Sequence, residues 1–377
     1  MPSSISSSDA VLDARHTASD RPGVAQPVPQ RPIPQQPWGR VMAGAAVVFA
    51  LLLGGWEMYW RAFGATPGIR NSEGLWAIQR RRIDNGEGDA TVLLGSSRIY
   101  FDVQLPVWEK LAGTRPIQLS YEGTTPLGFL EDLANDANFR GRLIVGVAPQ
   151  VFFSAFAYHA HALRTFQTES PAQRAGQWLS MRSVEQVFAF YDPDFALATV
   201  LKRQPWPLRP GEHPFMAVRK LAETESDRAT HIWAKVENDP DYRQVARSIW
   251  LQEFAPSPDD PSAEKRQQIT REQIARAAKA VAKLRGRNVP VLFVRPPSSG
   301  PFLDYENALW PRAESWDALL AATGAPGIHF EDYPQLQGME LPEWSHLTRA
   351  DAERFTTELY RIIERDFWKK DDKPGGP

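Results

Sequence analysis

The stretch TVLLGSSRIYFD, residues 91–102, runs from a solid apolar block into a glycine, two serines and an arginine. A strand with one wet face alternates apolar and polar residues. An uninterrupted run such as Thr91–Leu94 belongs to a strand covered on both faces, the habit of parallel sheets. The next four residues, Gly95-Ser96-Ser97-Arg98, allow two readings. They form a plain strand-end loop, or they present a nucleophile at the carboxyl end of a buried strand.

The same rhythm recurs on either side. PIQLS (116–120), RLIVGVAP (142–149), VPVLFVRPP (289–297) and GIHFED (327–332) read as further buried strands. Helical patterns lie between and after them: Val103–Ala112 around Pro106, Leu127–Phe139, Ile269–Gly286, and Thr348–Asp366, where Thr348 caps and Asp351 stands at the third helical position. Strands alternating with amphipathic helices predict an α/β fold around a parallel sheet. Residues 150–265 break the rhythm. They are mostly helical in pattern, with Pro-rich interruptions at 205–214 and 255–261, and read as a helical insertion or cap over the sheet.

The N-terminal region is of another kind. Residues 1–37 are rich in Ser, Pro, Gln and Ala without apolar period and read as a disordered tail. Residues 38–60 come next, with an uncharged core from Val41 to Trp56 flanked by Trp38 on one side and Tyr59 and Trp60 on the other. As a helix this segment covers about 33 Å, one bilayer, with aromatic residues at both interfaces. It reads as an uncleaved transmembrane anchor; the alternatives are a buried helix and a signal peptide, for which Ala62-Phe63-Gly64-Ala65 resembles a cleavage site. Arg21, Arg31 and Arg40 before the span balance Arg61, Arg70 and Arg80 after it, so charge does not orient it. Residues 61–88 read as a polar linker, helical in part, 89–367 as the α/β domain, and 368–377 as a second disordered tail.

Composition narrows the function classes. A net charge of −2 gives no general attraction to nucleic acid. The chain has no cysteine, which excludes disulfides and thiolate-held metals. No glycine-rich phosphate loop or dinucleotide fingerprint occurs, and no cofactor is expected. His159 and His161 stand two apart without an acidic partner and read as structural, not as metal ligands. The 13 tryptophans suit packing and a membrane interface, or a glycan surface.

In parallel α/β sheets, sites form beyond the carboxyl ends of the strands. Ser96, Ser97 and Arg98 stand there after the first strand, Glu122-Gly123-Thr124-Thr125 after the second, Pro149 and Gln150 after the third, and Arg295 and Ser298 after a later one. LPEWSHLTRADA precedes the last helix and carries Glu343, Ser345 and His346. A serine hydroxyl needs an imidazole to take its proton and a carboxylate to orient that imidazole. Glu343 and His346, three apart at a helix entrance, suit the last two roles, although Glu331 and Asp332 compete for the ring. Ser97 suits the first. The backbone N–H groups of Ser97 and Gly123 are the candidate oxyanion donors. Arg98 and Arg295 are read either as substrate-anion contacts or as a surface ion pair.

GSSR after the first strand, EGTT after the second and E-x-S-H-L-T before the last helix resemble the SGNH/GDSL hydrolase superfamily. The likeness covers about 90–150 and 285–365. It implies a three-layer, flavodoxin-like parallel sheet, with Ser97 as nucleophile, His346 as base, Glu343 in place of the usual aspartate, and Gly123 as the second-block glycine. The sub-type it most resembles is membrane-anchored and works beside a membrane-bound O-acyltransferase, as do the teichoic-acid D-alanine transfer and alginate O-acetylation proteins. That resemblance implies acyl-ester chemistry on a cell-envelope or exported polysaccharide, as transferase or esterase, with the domain in the periplasm. The chain departs from the family pattern at two further places. Ser96 replaces the aspartate beside the serine, and the third-block asparagine is missing from GVAPQ, where Gln150 is the candidate substitute. The missing donor favours an alternative, a non-catalytic partner that binds glycan or docks on a membrane acyltransferase.

Overall fold

The computed structural model describes residues 36–204, 206–207, 219–258 and 260–368. The tails read as disordered, 1–37 and 368–377, lie almost wholly outside the described residues. The chain divides into two units, Met1–Gly55 and Trp56–Pro377.

Helix α1 (Trp38–Phe63) crosses that boundary and is long and apolar enough to span a membrane. Residues 61–88, expected to be a linker, contain α2 (Glu73–Arg82), which is capped by Ser72 and inserts a fully buried Trp76 into the core. Arg80 on its far turn is buried and pairs with Asp132 and Asp136 at 2.7 and 2.6 Å. A polar helix anchored by one indole and one paired guanidinium gives little apolar period, so it passes for a linker.

The α/β alternation comes next: β1 (Thr91–Leu94), α3 (Ser97–Asp102), α4 (Leu105–Ala112), β2 (Ile117–Gln118), α5 (Leu127–Asn135), β3 (Arg142–Gly146) and α6 (Pro149–Phe152). The expected insertion contains α7 (His161–Thr168), α8 (Pro171–Arg182), α9 (Val184–Val187), α10 (Leu197–Lys202), α11 (Ala234–Asn238) and α12 (Pro240–Glu253). It is not purely helical: β4 (Ala222–Thr224) and β5 (Thr230–Ile232) form an antiparallel pair before α11. The alternation resumes with α13 (Ala263–Arg285), β6 (Val291–Arg295), α14 (Gly300–Leu309), α15 (Trp316–Thr323), β7 (Gly327–His329) and α16 (Arg349–Asp366).

The sheet is parallel throughout, in the order β2-β1-β3-β6-β7. Taken among its own five strands this is 2-1-3-4-5, a doubly wound order whose switch point lies between β1 and β3. Alternate residues supply opposite faces. Val92, Leu94, Val145 and Phe293 join a core with Trp76, Leu130 of α5 and Val281 of α13, whereas Leu93, Ile144 and Val294 join another with Trp108 of α4 and Phe355 and Leu359 of α16. Helices therefore cover both faces, which explains the solid apolar strands.

The capping box expected at α16 forms by half. Thr348 Oγ1 accepts from the Asp351 N–H at 3.2 Å, but Asp351 Oδ2 turns to the Glu340 N–H at 2.7 Å. The Thr348 N–H bonds Glu340 O instead, so the reciprocal acceptor has no donor to serve.

Candidate functional site

GSSR is a turn from strand into helix. The chain leaves β1 at Gly95 and enters α3 at Ser97, with Ser96 as the N-cap. Glycine permits this turn for a spatial reason. A Cβ on Gly95 would lie 2.8 Å from Ile99 Cβ, and one on Gly146 at the end of β3 would lie 2.0 Å from Ile99 Cγ1. Ile99 thus sits directly on the ends of β1 and β3, and α3 starts at the switch point. Ser96, Arg98, Ile99 and Tyr100 are buried; Ser97 alone in this run is partly accessible. As the first residue of a helix, Ser97 has a backbone N–H without an intrahelical acceptor.

The loop before α16 packs against α3. The His346 ring lies 4.5 Å from the Phe101 ring, centroid to centroid. Arg98 Nε reaches Ser345 Oγ at 3.3 Å, and the Leu347 N–H donates to Asp102 Oδ1 at 3.0 Å. Ser97 and Phe101 are one turn apart on α3, so the two positions share a helix face.

His346 and Glu343 form a closed pair. His346 Nδ1 and its backbone N–H both lie 2.7 Å from Glu343 Oε1. The other oxygen, Oε2, accepts from Trp250 Nε1 of α12 at 2.6 Å. Glu343 has no exposed surface. Burial pushes its carboxyl up, but the His346 ring and the donors from His346 and Trp250 hold it below the usual carboxylate range. The competing acids are elsewhere: Asp332 takes Arg312 at 2.7 and 2.8 Å, and Glu331 lies 3.6 Å from the same guanidinium. With Nδ1 bonded to the carboxylate, the other ring nitrogen is Nε2. It is buried and has no hydrogen-bond partner, so the Ser97–His346 bond is not made. Catalytic hydrogen bonds of this kind are often long without substrate and tighten only in the complex.

Trp344, inside the Glu343–His346 loop, is held at φ +73°. Its carbonyl accepts from the Ser299 N–H at 3.0 Å, and its ring lies under the Arg247 guanidinium, whose Nε also donates to Pro342 O. Such backbone strain persists only where the surroundings over-determine it.

The loops beside β1 carry the other candidates. The Tyr121 N–H donates to Gly95 O at 3.0 Å, which ties the segment after β2 to the turn. Gly123 adopts φ +55°, and its N–H has no acceptor among the described residues. Gln150 is the second residue of the short α6 after β3, the neighbouring strand, and its Oε1 is buried without a partner among the described residues. His159 stacks on Tyr121 at 4.0 Å, and burial lowers its pKa.

Arg98 and Arg295 do not form a surface ion pair. Both are buried and both hold Glu306 of α14, at 3.0 and 2.7 Å. Burial pushes Glu306 up, but the two guanidinium groups more than offset it and the carboxyl lies below its ordinary range. Arg295 is pulled down to about 10 by the same burial. The anion these arginines recognise is internal, and the triplet locks α14 to β6 and α3.

Trp250, Asp102 and Glu306 carry no signal of their own in the sequence. Trp250 meets Glu343 across 93 residues, from inside the insertion. Asp102 ends α3 fully buried; burial first, with Glu343 adding, pushes its carboxyl well above the usual range, against the Leu347 N–H and Arg98. No protein-family model matches the chain. No curated protein matches it either.

Proposed function

We propose that the chain carries out serine-dependent acyl-ester chemistry at the carboxyl end of β1. The carrying observation is the buried Glu343–His346 pair, whose ring packs on Phe101 one helical turn from Ser97. In this reading Ser97 Oγ attacks an acyl carbonyl carbon while its proton passes to His346 Nε2. Glu343 orients the ring and stabilises the imidazolium. The tetrahedral oxyanion faces the N–H groups of Ser97 and Gly123. Its collapse expels the first alcohol, protonated by His346, and leaves an acyl-serine. A sugar hydroxyl, or water, then attacks that ester and regenerates Ser97. The acceptor class, a cell-envelope or exported polysaccharide, comes from the resemblance to membrane-anchored SGNH proteins and from α1 as an anchor, with the domain in the periplasm beside a membrane O-acyltransferase.

The first test is labelling of the full chain in detergent with a fluorophosphonate, beside Ser97→Ala and His346→Ala. The full chain is used because Trp60 and Phe63 of α1 pack against the domain. Labelling that requires both residues supports an activated serine; a folded chain that never labels refutes it. One observation favours the second reading, a non-catalytic glycan-binding or docking protein: His346 Nε2 is buried with no partner. Absence of labelling with retained glycan binding would establish that reading.

A further inference from the structure

The last turns of α1 are gripped by one part of the insertion. Trp56 Nε1 donates to Phe195 O at 3.2 Å, and the Trp60 ring stacks on Phe195 at 4.7 Å. Glu57 accepts from the N–H groups of Ala189 and Phe190, at 2.9 and 3.1 Å. Arg61 donates to Val187 O at 2.9 Å.

The same stretch turns apolar side chains outward. Val187 is 54% exposed, Leu197 57%, Leu201 46% and Trp206 58%. Leu197 and Leu201 are one turn apart on α10 and share a face. The Trp206 indole donates to Leu201 O at 2.5 Å, which holds its ring beside that face. On the gripped end of α1 itself, Met58 and Tyr59 are 72% and 61% exposed. Exposed apolar side chains gathered this way mark an interaction surface, since each loses about 1.5–3 kcal/mol of burial by facing water.

We propose that this part of the insertion, residues 187–204 together with Trp206, is a second membrane contact that lies in the lipid interface beside the end of α1. The proposal rests on α1 being a bilayer span. Continuity argues for lipid as the occupant. Trp56, Tyr59 and Trp60 form the aromatic end of the span, which belongs at headgroup depth. Phe195 and Ala189 are bonded to those same turns, so the apolar residues that flank them are at that depth too. Lys202 is exposed in the same stretch and suits anionic headgroups.

The chain has no cysteine, so single cysteines can be placed at will. Leu197→Cys and Leu201→Cys report the patch, Leu51→Cys the middle of α1, and Glu272→Cys on α13 an aqueous face. Each full-length variant is spin-labelled and placed in nanodiscs of phosphatidylcholine with phosphatidylglycerol. Relaxation by oxygen is compared with relaxation by a water-soluble nickel chelate. The expected result is a severalfold higher oxygen-to-nickel ratio at 197 and 201 than at 272, below that at 51. Aqueous ratios at 197 and 201 with a lipid ratio at 51 overturn the second contact and leave the anchor standing. An aqueous ratio at 51 overturns the anchor and the proposal with it. Labels at 197 and 201 immobilised and shielded from both reagents overturn lipid in favour of a protein on this face.

Discussion

Replacing Trp250 by Phe isolates the contact that links the insertion to Glu343. The phenyl ring retains the edge-to-face contact with Phe302, now 5.7 Å between centroids. It removes the 2.6 Å donor to Glu343 Oε2, and no other donor reaches that oxygen among the described residues. A hydrogen bond to a buried charged acceptor is worth about 1.5–3 kcal/mol. The assay is a double-mutant cycle of Trp250→Phe and Glu343→Gln, read by guanidinium unfolding of the full chain in detergent. Packing losses common to both backgrounds cancel, and the coupling is expected at about 2 kcal/mol. The pH profile gives a second readout. Glu343 is depressed in the fold, so its contribution is present above the ordinary carboxylate range and disappears as pH falls through the folded value. Losing Trp250 weakens that depression, so the acid limb of the variant moves to higher pH. A coupling under about 0.5 kcal/mol with an unmoved acid limb would refute the view that Trp250 holds the carboxylate.

Glu306→Gln leaves two buried guanidinium groups facing a neutral amide and is expected to cost about 3–5 kcal/mol, seen as a large loss of denaturation midpoint; a near-neutral variant would mean the triplet is not what locks α14. His329 is held neutral by burial, with Arg295 and Arg312 adding, at about 3. The unfolded chain binds a proton there below about 6.5 and the folded chain does not, so stability falls by about 2 kcal/mol from pH 7 to pH 5, a loss that His329→Gln should remove. Asp102 is shifted the opposite way, so its contribution is complete below the ordinary carboxylate range and is lost as pH rises toward its folded value. Asp102→Asn should therefore gain melting temperature at pH 8 relative to pH 4, and equal shifts at the two pH values would contradict a carboxyl held neutral by burial. Gly146→Ala drives a methyl into Ile99 and should cost about 1–3 kcal/mol, with Ile99→Ala in the same chain recovering part of it; no recovery would place the strain elsewhere.

Legibility in the sequence tracks the range of the interactions. The sheet is legible because a strand buried on both faces must be apolar at every position, and Val92–Leu94, Leu143–Val145 and Val291–Val294 are. Glu343 and His346 are legible because their contact spans three residues and needs only a turn. Residues 61–88 pass for a linker because α2 is anchored by Trp76 and by Arg80 bonded to acids more than fifty residues away. The α3 helix is hidden because its starting point is set by room above Gly146, in a later strand. The burial of Arg98 and Arg295 is hidden for a similar reason. Their partner Glu306 lies 208 residues from one and 11 from the other, and a guanidinium at a strand end looks the same in sequence whether its anion is a ligand or a buried side chain.

The insertion presents the sharpest case, since its pattern suggests only a cover. Its two ends do different work. Phe195 and Ala189 hold the aromatic end of α1, and Trp250, on the far side of the β4–β5 pair, holds the acid of the Glu343–His346 pair. A cover would need only an apolar underside. This segment instead makes directed hydrogen bonds to specific partners at both ends, and Arg247 adds a third beside the strained Trp344. Directed bonds of that kind transmit position where apolar contact alone would let the parts slide. A change at the α1 end of the insertion should therefore be felt at Glu343 only if Phe195 and Trp250 move as one body. Denaturation cycles between Phe195→Ala and Trp250→Phe measure that: additive losses mean two independent clamps, and a coupling well above about 0.5 kcal/mol means one rigid strut.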